Sequence, residues 1–152
     1  MKTKTLLSAL LVCLLALPLG AAVRGDKAMY VGGSISSIAE NQQGKLDTSG
    51  ESALTFTWEK GKWEVPYKNI TKMEYGQKAG RRVGAAIAVS PLLLFSKKRK
   101  HYLTLQLKDE EGKSQAALFE LSKGTYQQVL AALEAKIGVK IDYETEGVKK
   151  EK

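Results

Sequence analysis

The residues with the clearest chemical potential lie in one segment of the chain, residues 81–100. Thirteen uncharged residues, Val83 to Phe95, form an apolar run there, and cations flank it on both sides. Such cations can hold anionic headgroups while the apolar side chains enter the acyl boundary of a bilayer. The candidate membrane- or anion-binding residues are Arg81, Arg82, Leu92, Leu93, Leu94, Phe95, Lys97, Lys98, Arg99 and Lys100.

Two other interpretations of this segment remain open. As a straight helix the apolar run reaches only ~20 Å, which is short beside the ~30 Å core of a bilayer. Short apolar runs more often belong to a protein core, so the sequence favours burial within the fold. A stripe of small residues from Gly76 to Ala88 would also allow close helix packing, including packing across a dimer, and the oligomeric state stays open.

Few residues in the chain could support catalysis or metal binding. There is one histidine, His101, and one cysteine, Cys13. A serine nucleophile needs a general base, and zinc needs three or four His, Cys or carboxylate ligands. We expect His101 to be a surface strand residue that the neighbouring Arg99 and Lys100 keep neutral. The sequence therefore predicts a non-enzyme without cofactor or metal; a hydrolase with an unrecognised carboxylate site is an alternative.

Four aromatic residues lie near one another along the chain: Trp58, Trp63, Tyr67 and Tyr75. Together they could form a surface on which a sugar or a peptide stacks. Aromatic residues are also ordinary constituents of strands, where they pair across neighbouring strands. The sequence favours this packing role over a stacking surface.

The first 22 residues have the organisation of a secretory signal peptide. Lys2 and Lys4 precede an apolar run over residues 6–17, and the small residues Gly20 and Ala22 stand at the positions a signal peptidase reads. A retained anchor is less favoured, because this run is short beside the ~20 residues of a spanning helix. We expect cleavage after Ala22 and export to the periplasm or beyond the cell, with membrane association left open.

Cleavage would concentrate the net charge in one place. The mature chain of 130 residues has no cysteine and a net charge of +6, and residues 78–100 contain seven cations and no acid. A basic surface spread over the whole protein would indicate nucleic-acid binding. One basic segment on an exported protein instead indicates an anionic lipid or another anionic envelope polymer. We expect no nucleic-acid partner, and a protein partner stays open.

Hydrophobic patterning predicts about seven short antiparallel strands, arranged as a barrel or sandwich. The predicted strands are Met29–Ile35, Lys45–Thr48, Leu54–Trp58, Trp63–Tyr67, Ile70–Tyr75, Tyr102–Lys108 and Ser114–Leu121. The pair Gly32 and Gly33 indicates a bulge or bend in the first strand. Gly61 indicates a hairpin connection, in which this residue is free to take a positive φ.

One C-terminal amphipathic helix follows, over Thr125–Ile137, with Leu133 in the middle of its apolar stripe. Thr125 and Gln128 fit a capping box, and Gly138 stands at the helix stop. Residues 139–143 add a short extended piece. We expect the helix to close the open end of the barrel.

The domain organisation follows from these elements. After the signal peptide over residues 1–22, residues 23–27 form a flexible lead. A single β domain covers residues 28–143 and contains an apolar and basic insertion over residues 77–100. Residues 144–152 form a charged tail.

This order of strands and helix resembles the pleckstrin-homology-like superfold, with its GRAM and bacterial members. The run from Trp63 to Ile70, Trp-Glu-Val-Pro-Tyr-Lys-Asn-Ile, is similar to the point where one strand of such domains ends and the next begins. The resemblance implies a module that binds lipids or protein partners. Phosphoinositide-binding members place cations in the loop after the first strand. Residues 36–44 contain Glu40 and no cation, so that activity is not implied here.

The function predicted from the sequence is a non-catalytic binding or scaffolding module exported to the cell envelope, with an unidentified ligand. Two alternatives accompany it. The first is a peripheral membrane protein that docks on anionic lipid through residues 81–100. The second is the hydrolase with an unrecognised carboxylate site.

Overall fold

The computed structural model describes residues 25–77 and 99–144. Within these ranges the elements are β1 Asp26–Gly33, β2 Gln42–Asp47, β3 Ala53–Trp58, β4 Gly61–Pro66, β5 Ile70–Gly76, β6 His101–Lys108, β7 Ser114–Leu121, α1 Tyr126–Ile137 and β8 Ile141–Tyr143. A 3-10 turn, Tyr67–Asn69, joins β4 to β5. The predicted signal peptide, residues 78–98 of the insertion and the tail beyond Glu144 lie outside the described residues.

The described strands form one sheet in the order β4-β3-β2-β1-β7-β6-β5-β8. Antiparallel pairing between β1 and β7, with Ala28 opposite Leu121, joins the two halves of the sheet. The extended piece predicted after the helix is β8, which pairs parallel to β5 with Met73 opposite Ile141. The predicted fold class is confirmed: the described residues are mainly β, with one helix near the C-terminus, consistent with a pleckstrin-homology-like sandwich.

The first strand contains the predicted bulge. Its register with β7 shifts between Tyr30 and Gly32. Gly33 has a φ of 146°, and a Cβ there would lie 2.2 Å from the carbonyl oxygen of Ala116. Only glycine fits that backbone conformation and that close approach. The strand begins at Asp26, inside the stretch predicted as a flexible lead, because that residue already pairs with β2.

The hairpin between β3 and β4 has a two-residue connection, with Trp58 opposite Gly61. Gly61 does not use its freedom to take a positive φ, since it is not among the described glycines with positive φ. A Cβ at Gly61 would lie 2.7 Å from the Trp58 ring. Glycine is therefore required here to leave room for the indole.

The inner face of the sheet is the face that carries the main apolar core. Phe119 lies near its centre, with ring centroids 5.2 Å from Phe56 and 5.6 Å from Tyr30. Helix α1 packs on this core through Val129, Leu130 and Leu133. Leu133 is completely buried, as its place in the apolar stripe predicts.

The two ends of α1 are fixed differently. At the C-terminal end Gly138 adopts a φ of 73° and its N–H donates to the Glu134 carbonyl at 3.0 Å, which confirms the predicted stop. The predicted capping box is wrong, because Thr125 makes no side-chain capping bond. Lys136 Nζ donates to the carbonyl oxygens of Ser49 and Gly50, at 3.1 and 2.6 Å, and ties the helix to the loop after β2.

The opposite, outer face carries a second and smaller apolar cluster. Its members, Val31, Tyr102 and Leu118, are 1–3% exposed and are called the outer cluster below. Met29 is the partly buried hydrophobic residue packed against it among the described residues. Strand β6 shows the separation of the two faces, because its successive side chains point to opposite sides. Leu103 belongs to the inner core, whereas Tyr102 belongs to the outer cluster.

Candidate binding site

The insertion leaves and re-enters the sheet at one point. The N–H of Lys100 donates to the Gln77 carbonyl at 3.4 Å, and the last registered pair of β5 and β6 is Gly76 opposite Tyr102. Residues 78–98 therefore begin and end at neighbouring positions at this end of the sheet. Of the ten candidate site residues, Arg99 and Lys100 lie within the described ranges. The other eight, Arg81, Arg82, Leu92, Leu93, Leu94, Phe95, Lys97 and Lys98, lie outside them.

Lys100 makes a contact within the fold. Its Nζ lies 2.8 Å from Glu120 Oε2 on β7, and the two side chains are 35% and 21% exposed. The hydrogen bond to Glu120 is the main cause that raises the pKa of Lys100. Lys100 is consequently an ion-paired residue of the sheet, so it can bind an external anion only at the expense of this pair.

An open groove of about 740 Å³ lies beside this ion pair. It crosses β3, β2, β1 and β7 in the order in which they neighbour one another. The residues that line it are Lys27, Ala28, Met29, Gln43, Gly44, Lys45, Thr57, Trp58, Glu59, Glu120, Leu121 and Ser122. We call this surface the groove. Sequence reasoning did not find it, because its residues come from four strands separated by up to about 90 positions.

The register of the sheet determines which groove residues are neighbours. Lys45 lies directly opposite Lys27 on one side and Thr57 on the other. Met29 lies opposite both Gln43 and Glu120. The groove therefore offers a pair of cations beside an apolar thioether and a carboxylate.

Close packing shapes the floor of the groove. A Cβ at Gly44 would lie 2.4 Å from the Thr57 carbonyl oxygen and 2.7 Å from the Phe56 ring. Any side chain at this position would therefore push β2 away from β3. Trp58 stacks on Phe56 with ring centroids 5.8 Å apart, so its half-buried indole lies on the inner-core side of β3, while the residue itself lines one edge of the groove.

The four aromatic residues singled out in the sequence do not share one surface. Trp58 and Trp63 pack against the inner core. Tyr67 is buried, and its hydroxyl donates at 3.2 Å to the carbonyl oxygens of Thr48 and Gly50. Of the four, only Trp58 lines the groove.

Tyr75 belongs instead to a cluster that sequence reasoning missed. The rings of His101 and Tyr126 stack with centroids 3.7 Å apart, and Tyr75 Oη lies 2.5 Å from His101 Nδ1. Burial raises the pKa of Tyr75 to about 12, with Tyr126 adding to the shift. The Tyr75 hydroxyl therefore keeps its proton, and it shares a hydrogen bond with Nδ1 whose direction is set by the tautomer of His101. Nothing in the spacing of the sequence shows that the start of β6 meets the start of α1.

His101 favours its neutral form, as predicted, but the cause is not the charge of Arg99 and Lys100. Burial lowers the pKa of His101, and the charge of Lys123 lowers it further. Its partly buried ring is held between Tyr126 and Tyr75. The residue thus serves the packing of the sheet against the helix.

Residues 25–77 and 99–144 contain no group of three or more His, Cys, Asp or Glu side chains placed to hold a metal ion. In the same ranges, no helix combines the length and apolar character needed to cross a bilayer.

Comparisons with known proteins give a likeness in structure. No family model matches the chain, and no curated protein matches it. Among solved structures, the chain is similar to a chain in the structure of the Spt16D Pob3N heterodimer, with 9% sequence identity and a TM-score of 0.45. The match covers 85% of this chain and 60% of that chain, so this chain spans about three fifths of the solved chain's length.

Proposed function

We propose that the protein is a non-catalytic binding module of the cell envelope, of the pleckstrin-homology-like type, that holds a peptide segment of a partner protein in the groove. The observation that carries the proposal is the groove itself. Its volume of about 740 Å³ falls within the range of ~300–1,000 Å³ common for ligand sites. Export rests on the predicted signal peptide over residues 1–22.

The charges in the groove favour a ligand that has an anionic group. Lys27 and Lys45 lie directly opposite each other on β1 and β2. A carboxylate of the ligand near this pair would accept charge-assisted hydrogen bonds from the two ammonium groups.

The remaining lining favours a polypeptide over a simple anion. Glu120 offers an acceptor for amide or amine groups, and Met29, directly opposite it, offers apolar surface on the same face of the sheet. A peptide carries acids, amides and apolar side chains together. Four strands at ~4.8 Å spacing measure roughly 15 Å across, a distance that about five extended residues span.

Binding can be measured through Trp58, which lines one edge of the groove. The chain has two tryptophans, so Trp63→Phe leaves Trp58 as the single fluorescent reporter. Short random peptides displayed on phage would be selected on the immobilised chain, and a selected peptide would then be titrated against this reporter. We expect its emission to change on binding. Lys45→Glu should weaken the Kd about tenfold by repelling the ligand's carboxylate.

A matched charge reversal controls for general electrostatics. Lys62 lies on the edge strand β4, outside the groove, and is 60% exposed in an ion pair with Glu64. Lys62→Glu should leave the Kd within about twofold. Equal affinity of the Lys45→Glu variant and the parent for every selected peptide would reject the groove as the binding surface.

Anionic lipid is the second candidate ligand, on a different surface. Its support is the concentration of seven cations within residues 78–100. Against it, Lys100 is ion-paired with Glu120. Binding to phosphatidylglycerol vesicles that falls at high salt but is indifferent to Lys45→Glu would favour lipid over the peptide groove.

A further inference from the structure

The middle strands of the sheet are buried on both faces. On β7, the four consecutive residues from Ala116 to Phe119 are at most 3% exposed, and β6 is buried continuously from Tyr102 to Leu105. Strands with both faces buried lie between two covering layers. Helix α1 covers the inner face, since its buried residues belong to the inner core.

The outer face lacks an equivalent layer among the described residues. Met29 is the hydrophobic residue that packs against the outer cluster there, and it lies on the sheet itself. Nevertheless Leu118 is 1% exposed and Val31 2% exposed. Burial of this degree requires a cover, and the described ranges do not include an element that supplies it.

Two polar atoms on the same face lack hydrogen-bond partners. Glu74 is 7% exposed and its Oε1 bonds to Lys72 Nζ at 2.5 Å, while its Oε2 is buried without a partner. The hydroxyl of Tyr102, 3% exposed, is likewise unpartnered. Glu74 pairs with Thr104 and Thr104 with Leu118, so this carboxylate lies in line with the outer cluster. Buried polar groups of this kind call for a partner that donates and accepts hydrogen bonds.

Residues 78–98 have the composition and the attachment points to supply this cover. They contain five cations, no acid and the apolar run Val83 to Phe95. They leave the sheet after Gln77 and return before Arg99, beside Tyr102. Twenty-one residues extend about 30 Å out and back at ~3.3 Å per residue. The distance from β6 to β1 is two strand spacings, roughly 10 Å.

We infer that residues 78–98 dock on the outer face of the sheet. Their apolar run covers the outer cluster, and their flanking cations reach Glu74 Oε2. The segment is then the layer that covers the outer face, as α1 covers the inner one, and the apolar run is buried against the outer cluster. The inference does not rest on a ligand in the groove, although Met29 belongs to the border of both surfaces.

Replacement of the segment tests the inference directly. In the full chain, residues 78–98 are exchanged for a short Gly/Ser linker, which the 3.4 Å contact between Gln77 and Lys100 allows. We expect the melting temperature to fall and the hydrophobic dye ANS to bind the uncovered face. A synthetic peptide of residues 78–98, added in excess, should restore the melting temperature and displace the dye. An unchanged melting temperature without dye binding would overturn the inference.

Point variants keep the test valid if the linker variant does not fold. Leu93→Ser and Phe95→Ser in the full chain should each lower the melting temperature, because they place a hydroxyl against the outer cluster. Glu74→Gln should lower it as well, since it removes the charge that the segment's cations face. Normal melting of all three variants, with loss of binding to phosphatidylglycerol vesicles in the two serine variants, would assign the segment to a membrane and overturn the inference.

The predicted leader is the competing occupant from this chain. Its apolar run over residues 6–17 also lies outside the described residues and joins β1 through Gly25. The same chain without residues 1–22 should keep the melting temperature of the full chain and should not bind ANS. If the chain without residues 1–22 binds ANS and the chain with residues 78–98 replaced does not, the leader covers the outer face, and the inference is overturned.

Discussion

The two faces of the sheet differ in how they are completed. On the inner face, α1 packs Leu133 into a large core built around Phe119. On the outer face, a cluster of three residues lies beside two buried polar atoms without partners. An apolar core needs only complementary shape, whereas a face with buried polar atoms needs a partner of specific chemistry. The difference indicates that the outer face is the one adapted to recognise a polar and apolar segment.

The largest expected effect is on the inner face. Leu133→Ala should reduce the free energy of unfolding by about 2–5 kcal/mol, because it opens a cavity at a fully buried position. The measurement is denaturant unfolding followed by circular dichroism. Gln128→Ala, at an exposed position of the same helix, is the control and should change stability by no more than ~0.5 kcal/mol. A small effect at Leu133 would mean that α1 does not complete the core.

The same truncation on the outer face should cost less. Leu118→Ala should reduce the free energy of unfolding by about 2 kcal/mol, near the lower limit for such changes, because the outer cluster is small. Denaturant unfolding under the same conditions makes the two leucines comparable. A loss as large as that of Leu133→Ala would show that the outer cluster contributes as much to the free energy of unfolding as the inner core does.

The bulge in β1 lies where the two faces are joined. Gly33→Ala should destabilise the fold by about 1–3 kcal/mol, since its Cβ would meet the Ala116 carbonyl oxygen and the backbone has a positive φ. Gly124→Ala is the matched control, because a Cβ at Gly124 meets nothing within 4 Å. Thermal melting of both variants checks the prediction. Equal melting temperatures would mean that the bulge can relax.

The smallest expected effect is a pH dependence from His101. Burial lowers its pKa in the folded protein, so below the unfolded value of about 6.5 the unfolded chain binds a proton more readily. The stability from this group is complete above about pH 6.5 and is lost as the pH falls toward the lower folded pKa. His101→Phe keeps an aromatic ring on Tyr126 and removes the titration.

The difference between the melting temperatures of the parent and the His101→Phe variant isolates this contribution from the carboxylates. We expect the parent to lose stability relative to the variant between pH 7 and pH 5. A difference that stays constant over this range would show that His101 titrates as it does in the unfolded chain.

Local patterns predicted much of the fold. Alternation identified β3, helical spacing identified α1, and the glycine pair at 32 and 33 indicated the bulge. These features depend on residues close in sequence. The prediction of a capping box was wrong, because Thr125 has a residue type that suits the N-cap but its side chain makes no capping hydrogen bond.

Two-sided burial was harder to predict. Residues 117, 119 and 121 of β7 alternate toward the inner face, and in a half-buried strand that pattern would leave Leu118 facing solvent. The continuous run from Ala116 to Phe119 was the available signal, since strands buried on both faces lose their alternation. The groove left no such signal, because its charges meet only through the register of β1 with β2 and β7.

The pairing of β1 with β7 also has a kinetic consequence. Each half of the sheet is built mainly from strands that are neighbours in sequence, but the contact of Ala28 with Leu121 closes a chain of more than ninety residues. Such closure loses much entropy before its contacts contribute, so forming this junction should limit the folding rate. Destabilising changes there, Gly33→Ala among them, should therefore slow folding, and the folding limb of a chevron plot measures that rate. Transient opening between β1 and β7 would then divide the molecule into two halves, each with an unpaired edge strand that a second copy could exchange.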